Sequence, residues 1–331
     1  MSNPIFIARQ DTLENDILPA QWLSHYKLFG EESYTFQDKE IWKKLCMSSA
    51  AANDRDMHAE ALEEMLTTFS AEHTGKWMLT VYGMDAAVLE GLASMAAVAG
   101  NGTAMAAVAA NALLMHAITN SETAMRAIAN SQTAMHAIAN SETAMQRIAN
   151  STTAMDAIGG SKIARDAVQA SPYYDAKIKE NDMAIAKLVV GFANLESARY
   201  SGCAGMAADS TAMTAVAASA TAMGKIAAVD AALSKLAAST TAMDALYARK
   251  KQMKGGSASK SGKFIILEIS QSNAFNTSKY GYATLSDGSK PDWSSYLAKY
   301  AFFQKYPKYA TYMLNDTDSD DYIYYFDIAS P

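Results

Sequence analysis

The residues able to do chemistry are few and sit near the chain's two ends. Asp316, Asp318 and Asp320 occupy alternating positions, and Asp327 falls at the twelfth position counted from Asp316. That spacing partly matches a calcium loop, where alternating carboxylates and a final bidentate acid surround the ion. Asp321 stands where such a loop needs Gly, and Asp327 where it needs Glu, so a solvated turn is the favoured expectation and calcium a weak candidate. Near the other end, His58, Glu60, Glu63, Glu64 and His73 gather on and just after a helical pattern, but their spacing fits no ligand motif. A solvated helix face accounts for them. Cys46 and Cys203 form no CxxC pair and no disulfide framework. The chain shows no GxSxG, HExxH, P-loop or dinucleotide fingerprint, so no catalytic role and no cofactor are expected.

Aromatic residues are the stronger signal. Tyr280, Tyr282, Trp293, Tyr322, Tyr324 and Tyr325 lie in a tyrosine-rich C-terminal stretch. Tyr offers a large, fairly rigid contact surface with a polar tip, so these six are candidates for recognition. Packing of a small sheet is the competing explanation. Trp22, Tyr26, Phe29 and Trp42 crowd the first fifty residues and are candidates for docking on another protein.

The elements that position these residues are set by a ten-residue repeat. From Asn120 the chain reads NSETAMRAIA, NSQTAMHAIA, NSETAMQRIA, NSTTAMDAIG, with looser copies upstream. A second array carries Met213, Met223 and Met243, with Leu233 in a degenerate copy. One continuous α-helix would rotate each copy by roughly 80°, winding the Met/Ile stripe with a pitch of roughly 67 Å. That is far steeper than the about 140–210 Å of two-stranded coiled coils. Each decamer is therefore expected to hold its own short helix. Ser121, Ser131, Ser141 and Ser151 suit N-caps, and Glu122 and Glu142 the first turn. Asn130, Asn140 and Asn150 are expected to end the helices in the left-handed conformation, with Gly159-Gly160 closing the last copy in the same way. A helix of about eight residues is not stable alone, so neighbours must stack, Met and Ile inside, with Arg126, His136, Gln146 and Asp156 outside. The fold class read from this is mainly α, a solenoid-like array of short helices with a small β-rich or α+β C-terminal domain.

Domains follow from composition. Residues 1–83 form a mixed, partly helical docking region, and 84–170 the first array. Residues 171–202 are a connecting helix, one longer amphipathic helix from Asp175 to Tyr200 whose apolar side is Ile178, Met183, Ile185, Leu188 and Val189. Residues 203–248 form the second array. Residues 249–262, basic and then Gly/Ser-rich, read as a linker, and 263–331 as the Tyr-rich domain. Within the latter, FIILEIS reads as a buried strand, DGSKP at 287–291 as a turn, and 293–303 as a helix. YATYML and YIYYFDIA read as a hairpin around NDTDSDD. The 331 residues carry a net charge of −6, which argues against a dedicated nucleic-acid binder. No stretch of 18 apolar residues and no signal peptide appear, so neither membrane insertion nor export is expected.

The array resembles the decapeptide repeats of bacteriophage tail-fibre and related tail proteins. The likeness rests on Thr123-Ala124-Met125 and its successors, and on Thr211-Ala212-Met213, Thr221-Ala222-Met223 and Thr241-Ala242-Met243. It spans roughly two-fifths of the chain and neither end. The resemblance implies a virion tail component made in the host cytoplasm, without catalysis and oligomeric, often trimeric in such fibres. It also implies other tail or baseplate proteins as partners at one end and a host-surface receptor, polysaccharide or protein, at the other. The alternative is a baseplate or capsid decoration subunit that binds only virion proteins; a bacterial adhesin is more remote, given the missing signal peptide.

Overall fold

The computed structural model describes residues 66–67, 74–270, 281–293, 298–316 and 321–331. The docking candidates Trp22, Tyr26, Phe29 and Trp42, and the residues 58–64 and 73, lie outside them. Two compact units, Met1–Lys177 and Ile178–Pro331, divide the chain. It is mostly helical, with an antiparallel sheet toward its C-terminal end. No single helix among the described residues is long and apolar enough to cross a membrane.

In the first unit, α1 is Thr74–Val81. A 3₁₀ turn at Ala86–Leu89 precedes α2 (Met95–Gly100), α3 (Gly102–Ala110), α4 (Ala112–Thr119), α5 (Glu122–Ala129), α6 (Gln132–Ala139), α7 (Glu142–Ala149), α8 (Thr152–Gly160) and α9 (Lys162–Ala170). Residues 120–160 are thus separate helices rather than one rod. Each is interrupted by a residue in extended conformation: Ser121, Ser131, Ser141 and Ser151 have φ from −106° to −112° and ψ from 117° to 121°. Their hydroxyl oxygens accept the N–H of Ala124, Ala134, Ala144 and Ala154 at 3.1–3.2 Å. Such caps satisfy backbone donors that a helix start leaves orphaned. At the break between α3 and α4 the chain turns sharply, the two helices meeting at 100°.

The asparagines do not act as expected. Asn130, Asn140 and Asn150 keep right-handed backbones, with φ near −94° and ψ near 0°. The step from that conformation into the extended serine makes the corner, so no left-handed residue is needed. Gly159 and Gly160 are likewise inside α8. The left-handed asparagine appears instead at Asn194 (φ 58°), where the regular spacing breaks. There the N–H of Leu195 donates to the Val190 carbonyl and that of Asn194 to the Gly191 carbonyl, the paired bonds of a Schellman motif.

Counted from the cap serine, residues at +3, +4, +7 and +8 are buried: Ala124, Met125, Ile128 and Ala129 in α5, and likewise in α6 and α7. Arg126, His136 and Gln146 are exposed and Asp156 half-buried. Each helix packs on the third one along: α2 on α5, α3 on α6, α4 on α7, α5 on α8, α6 on α9. Corners also stack. The hydroxyls of Ser131, Ser141, Ser151, Ser161 and Ser171 donate to the carbonyls of Ala99, Ala109, Thr119, Ala129 and Ala139, always 32 residues earlier, at 2.5–2.6 Å. In α9 the Met position holds Arg165, which is buried and donates to the Gly159 carbonyl at 2.6 Å.

Between the two arrays the expected connecting helix is broken. A π turn spans Asp175–Lys179, Asn181 caps α10 (Asp182–Phe192) by accepting the Ala184 N–H, and a 3₁₀ turn spans Ser197–Arg199. The cap stops the helix that the apolar pattern alone would extend. Ala184, Ile185, Leu188 and Val189 then sit at +3, +4, +7 and +8, so this segment follows the decamer rule. Next come α11 (Cys203–Ala208), α12 (Ser210–Ala217), α13 (Ala220–Ala227), α14 (Asp230–Ala237) and α15 (Thr240–Ala248). Again every third helix packs, α10 on α13, α11 on α14 and α12 on α15, and Ser239 Oγ donates to the Ala207 carbonyl at 2.6 Å. Val229 replaces the cap serine of α14 and gives no cap bond, yet keeps the extended backbone (φ −132°, ψ 103°).

The sheet comprises β1 (Lys251–Lys254), β2 (Ala258–Ser270), β3 (Gly281–Leu285), β4 (Asp292–Trp293), β5 (Ala310–Asn315) and β6 (Tyr322–Asp327), in the order β1-β6-β2-β5-β3-β4. Residues 249–262 are therefore not a linker: β1 pairs with β6, from Lys251 opposite Tyr325 to Lys254 opposite Tyr322. Nor do β5 and β6 form a hairpin. The long β2 lies between them and pairs with both, because its run of buried residues Phe264–Leu267 belongs at the sheet centre. The expected helix over 293–303 is instead strand at Trp293 and a short α16 at Ala301–Lys305. The turn at 287–291 is present, with Gly288 at φ 84° and the Leu285 N–H bonded to the Ser289 carbonyl.

Ser151→Ala removes both the cap of α8 and the donor to the Thr119 carbonyl. It should lower unfolding stability by roughly 1–3 kcal/mol, read as a fall in the urea midpoint; Gln146→Ala, at an exposed position on α7, should move it far less.

Candidate functional site

The densest cluster of ionisable and aromatic side chains among the described residues lies where α15 meets the sheet. Tyr247 occupies the +8 position of the last decamer, where earlier copies have Ala129, Ala139, Ala217, Ala227 or Ala237. Its ring meets Tyr300 edge-on at 5.7 Å and Tyr324 at 6.3 Å, and Tyr324 stacks on Tyr322 at 6.3 Å. Lys299 Nζ sits 4.4 Å from the Tyr247 centroid and 4.5 Å from that of Tyr300, and Lys250 Nζ 4.1 Å from Tyr247 and 5.8 Å from Tyr324. Cations over ring faces are attracted by the ring quadrupole.

Carboxylates hold the phenols in place. The Tyr247 hydroxyl donates to Glu268 at 2.5 Å, and the Tyr300 hydroxyl donates to Asp244, which also pairs with Lys299 at 3.2 Å. Lys308 bridges Asp230 at 2.6 Å and Asp287 at 3.4 Å. Burial, reinforced by the Glu268 carboxylate, pushes the Tyr247 phenol well above its ordinary value. Burial and the bond to Asp244 raise Tyr300. The Tyr300 and Lys299 bonds hold the Asp244 carboxyl below its ordinary value. Phenols kept protonated and already donating are poor bases and nucleophiles at neutral pH, so the arrangement suits contact and anchoring.

The sequence-derived recognition residues do not form one surface. Tyr322 and Tyr324 share a face of β6, since side chains two apart point the same way; both are half-buried. Tyr325 points to the other face and is a core residue, 4% exposed, against Phe264. Tyr282 is half-buried on β3, its ring 5.7 Å from Tyr312 and beneath Lys290. Trp293 lies in β4, and Tyr280 falls outside the described residues. Tyr247, Lys250, Asp244, Lys299 and Glu268 were not singled out from sequence; Tyr in place of the decamer's Ala was the available signal.

The calcium candidates are not brought together either. Asp316 accepts the Ser257 hydroxyl beside the start of β2, while Asp327 pairs with Lys251 at 3.4 Å and lies opposite Phe264. Seven residues of β2 separate those places, roughly 20 Å of extended chain. Asp318 and Asp320 lie outside the described residues. Among the described residues no group of three or more His, Cys, Asp or Glu could hold a metal. Cys203 is buried, and burial together with Asp182 pushes its thiol far above the usual range. In the first unit a groove of about 800 Å³ is lined by Gly102 and Ala106 of α3 and Gln132, Thr133, His136 and Ala137 of α6.

No family model matches the chain, and no curated protein matches it.

Asp244 has a folded pKa below its unfolded one, so its contribution is present above the unfolded carboxylate range and is lost as pH falls through the folded value. Asp244→Asn should therefore flatten the loss of stability on acidification below about pH 5, measured as urea midpoints across pH. An acid limb identical to wild type would count against the assignment.

Proposed function

We propose that the chain is a structural virion protein, a phage tail fibre whose decamers stack as a solenoid of three short helices per turn. The arrays serve as scaffold, residues 1–83 as the docking region, and the C-terminal sheet as the part that meets the host surface. The observation that carries the reading is the serine bond repeated at a constant separation of 32 residues, which ties each corner to the one below it. Every helix then spends its polar corner groups and its Met and Ile side chains on its neighbours. What is left outward is variable and solvated, as suits a spacer rather than an enzyme.

The tyrosines of the sheet support a recognition role for that end. Half-buried Tyr282 and Tyr312, and Tyr322 and Tyr324, give aromatic surface with polar tips. Tyr325 is excluded from this surface by its burial. Homo-oligomerisation, other tail or baseplate proteins as partners, and location in the virion belong to the same proposal. The alternative, a baseplate or decoration subunit, shares the scaffold and differs in lacking a host receptor.

Negative-stain electron microscopy and light scattering of the full chain test the proposal, with adsorption of the labelled protein to bacterial cells. An elongated oligomer that adsorbs is expected. A compact monomer that ignores cells contradicts it, and an oligomer that binds purified particles but no cell favours the decoration reading.

A further inference from the structure

The row of aromatic rings at the end of the second array continues onto the sheet beside cations that form no ion pair among the described residues. In the β1–β6 ladder Lys254 lies opposite Tyr322 and Gln252 opposite Tyr324, and directly opposed residues share a face. Lys254 and Gln252 are exposed, as is Lys250 above Tyr247. Among the described residues neither Lys250 nor Lys254 forms an ion pair, whereas Lys251, Lys299 and Lys308 each do. One short face thus presents two neighbouring phenol rings, an amide, and two ammonium groups with spare hydrogen-bond donors, beside the Glu268 carboxylate opposite Tyr324, which accepts the Tyr247 hydroxyl.

We propose that this face, Tyr322 and Tyr324 with Lys250, Gln252 and Lys254, binds an acidic polysaccharide, uronic-acid residues pairing with the lysines while sugar C–H faces rest on the tyrosines. The chemistry selects the ligand. Aromatic rings with an amide beside them suit a polyhydroxylated ring, and unpaired ammonium groups suit a carboxylate. A single-stranded nucleic acid also combines stacking with charge. Here the amide and the phenol hydroxyls match the hydroxyls of a sugar ring, which a nucleobase lacks. The inference rests on the receptor-binding reading of this end and adds its ligand class.

Full-length protein is titrated at low salt with oligogalacturonate, neutral dextran and oligo(dT). Oligogalacturonate should bind, with affinity falling as salt rises, and dextran should bind at least about tenfold more weakly. The double variant Lys250→Gln, Lys254→Gln, both positions exposed, should lose at least about tenfold, since each charge-assisted contact is worth about 1.4 kcal/mol or more. In wild-type protein, amide shifts on titration should concentrate at 250–254 and 322–324, a readout independent of any variant's folding. No binding of oligogalacturonate, undiminished binding by the double variant, shifts located elsewhere, or tighter binding of oligo(dT) each overturns the proposal. An elongated oligomer that adsorbs to cells but ignores uronate sinks this inference alone. A compact monomer that binds uronate keeps it and sinks the fibre.

Discussion

One hydroxyl group per decamer does two jobs. At Ser131, Ser141, Ser151, Ser161, Ser171 and Ser239 the oxygen accepts an N–H from the segment it opens, while its proton goes to a carbonyl 32 residues back. The first bond sets where a helix starts; the second sets which earlier corner lies beneath it. Asn can do both as well: Asn111 Oδ1 accepts the N–H of Leu113 and Leu114 while its Nδ2 donates to the Tyr82 carbonyl, 29 residues back, whereas Asp can only accept. Where Asn101 and Asn111 stand in the serine position the cap bond is kept. Where Val229 stands there, packing alone holds the extended backbone, so the bond reinforces the corner rather than creating it.

The corner explains the composition. With a break every ten residues, no helix is long enough to persist alone, and burial must come from the adjacent turns. Ala at +3 and +8 lets helices approach, and Met at +4 fills the irregular space between them. Departures from the rule mark places where something else happens. Arg165 in the Met position needs the Gly159 carbonyl, Cys203 in the same position lies beside Asp182, and Tyr247 at +8 leaves the array to meet the sheet.

Much of this was legible in the sequence because the repeat states the same constraint many times. The phase of Met and Ile gave the buried face, and the serines gave the helix starts. The corner conformation was not legible, since Asn suits both left- and right-handed helix ends and only the following serine's backbone decides. The break at Asn181 was hidden because apolar residues at helical spacing, Ile178 before it and Met183 and Ile185 after it, continue the pattern across it. Strand existence was readable from β-rich patterns at 264–269 and 322–327, but strand order was not. Adjacent strands in sequence usually pair, and nothing local reveals that β2 separates β5 from β6. The tyrosines were found as a class, while their sidedness depends on register: Tyr324 and Tyr325 are neighbours in the chain and lie on opposite faces.

The claim that decamers stack three to a turn is tested most directly by one distance. Spin labels at positions 96 and 156, in a chain whose Cys46 and Cys203 are replaced by Ala, sit two turns apart on helices α2 and α8, with α5 between them. Stacked helices about 8–10 Å apart place the labels roughly 20 Å from each other. The same sixty residues in one continuous helix would set them roughly 90 Å apart. A double electron–electron resonance distribution centred near the shorter value is the predicted result, and one centred near the longer value would contradict the account.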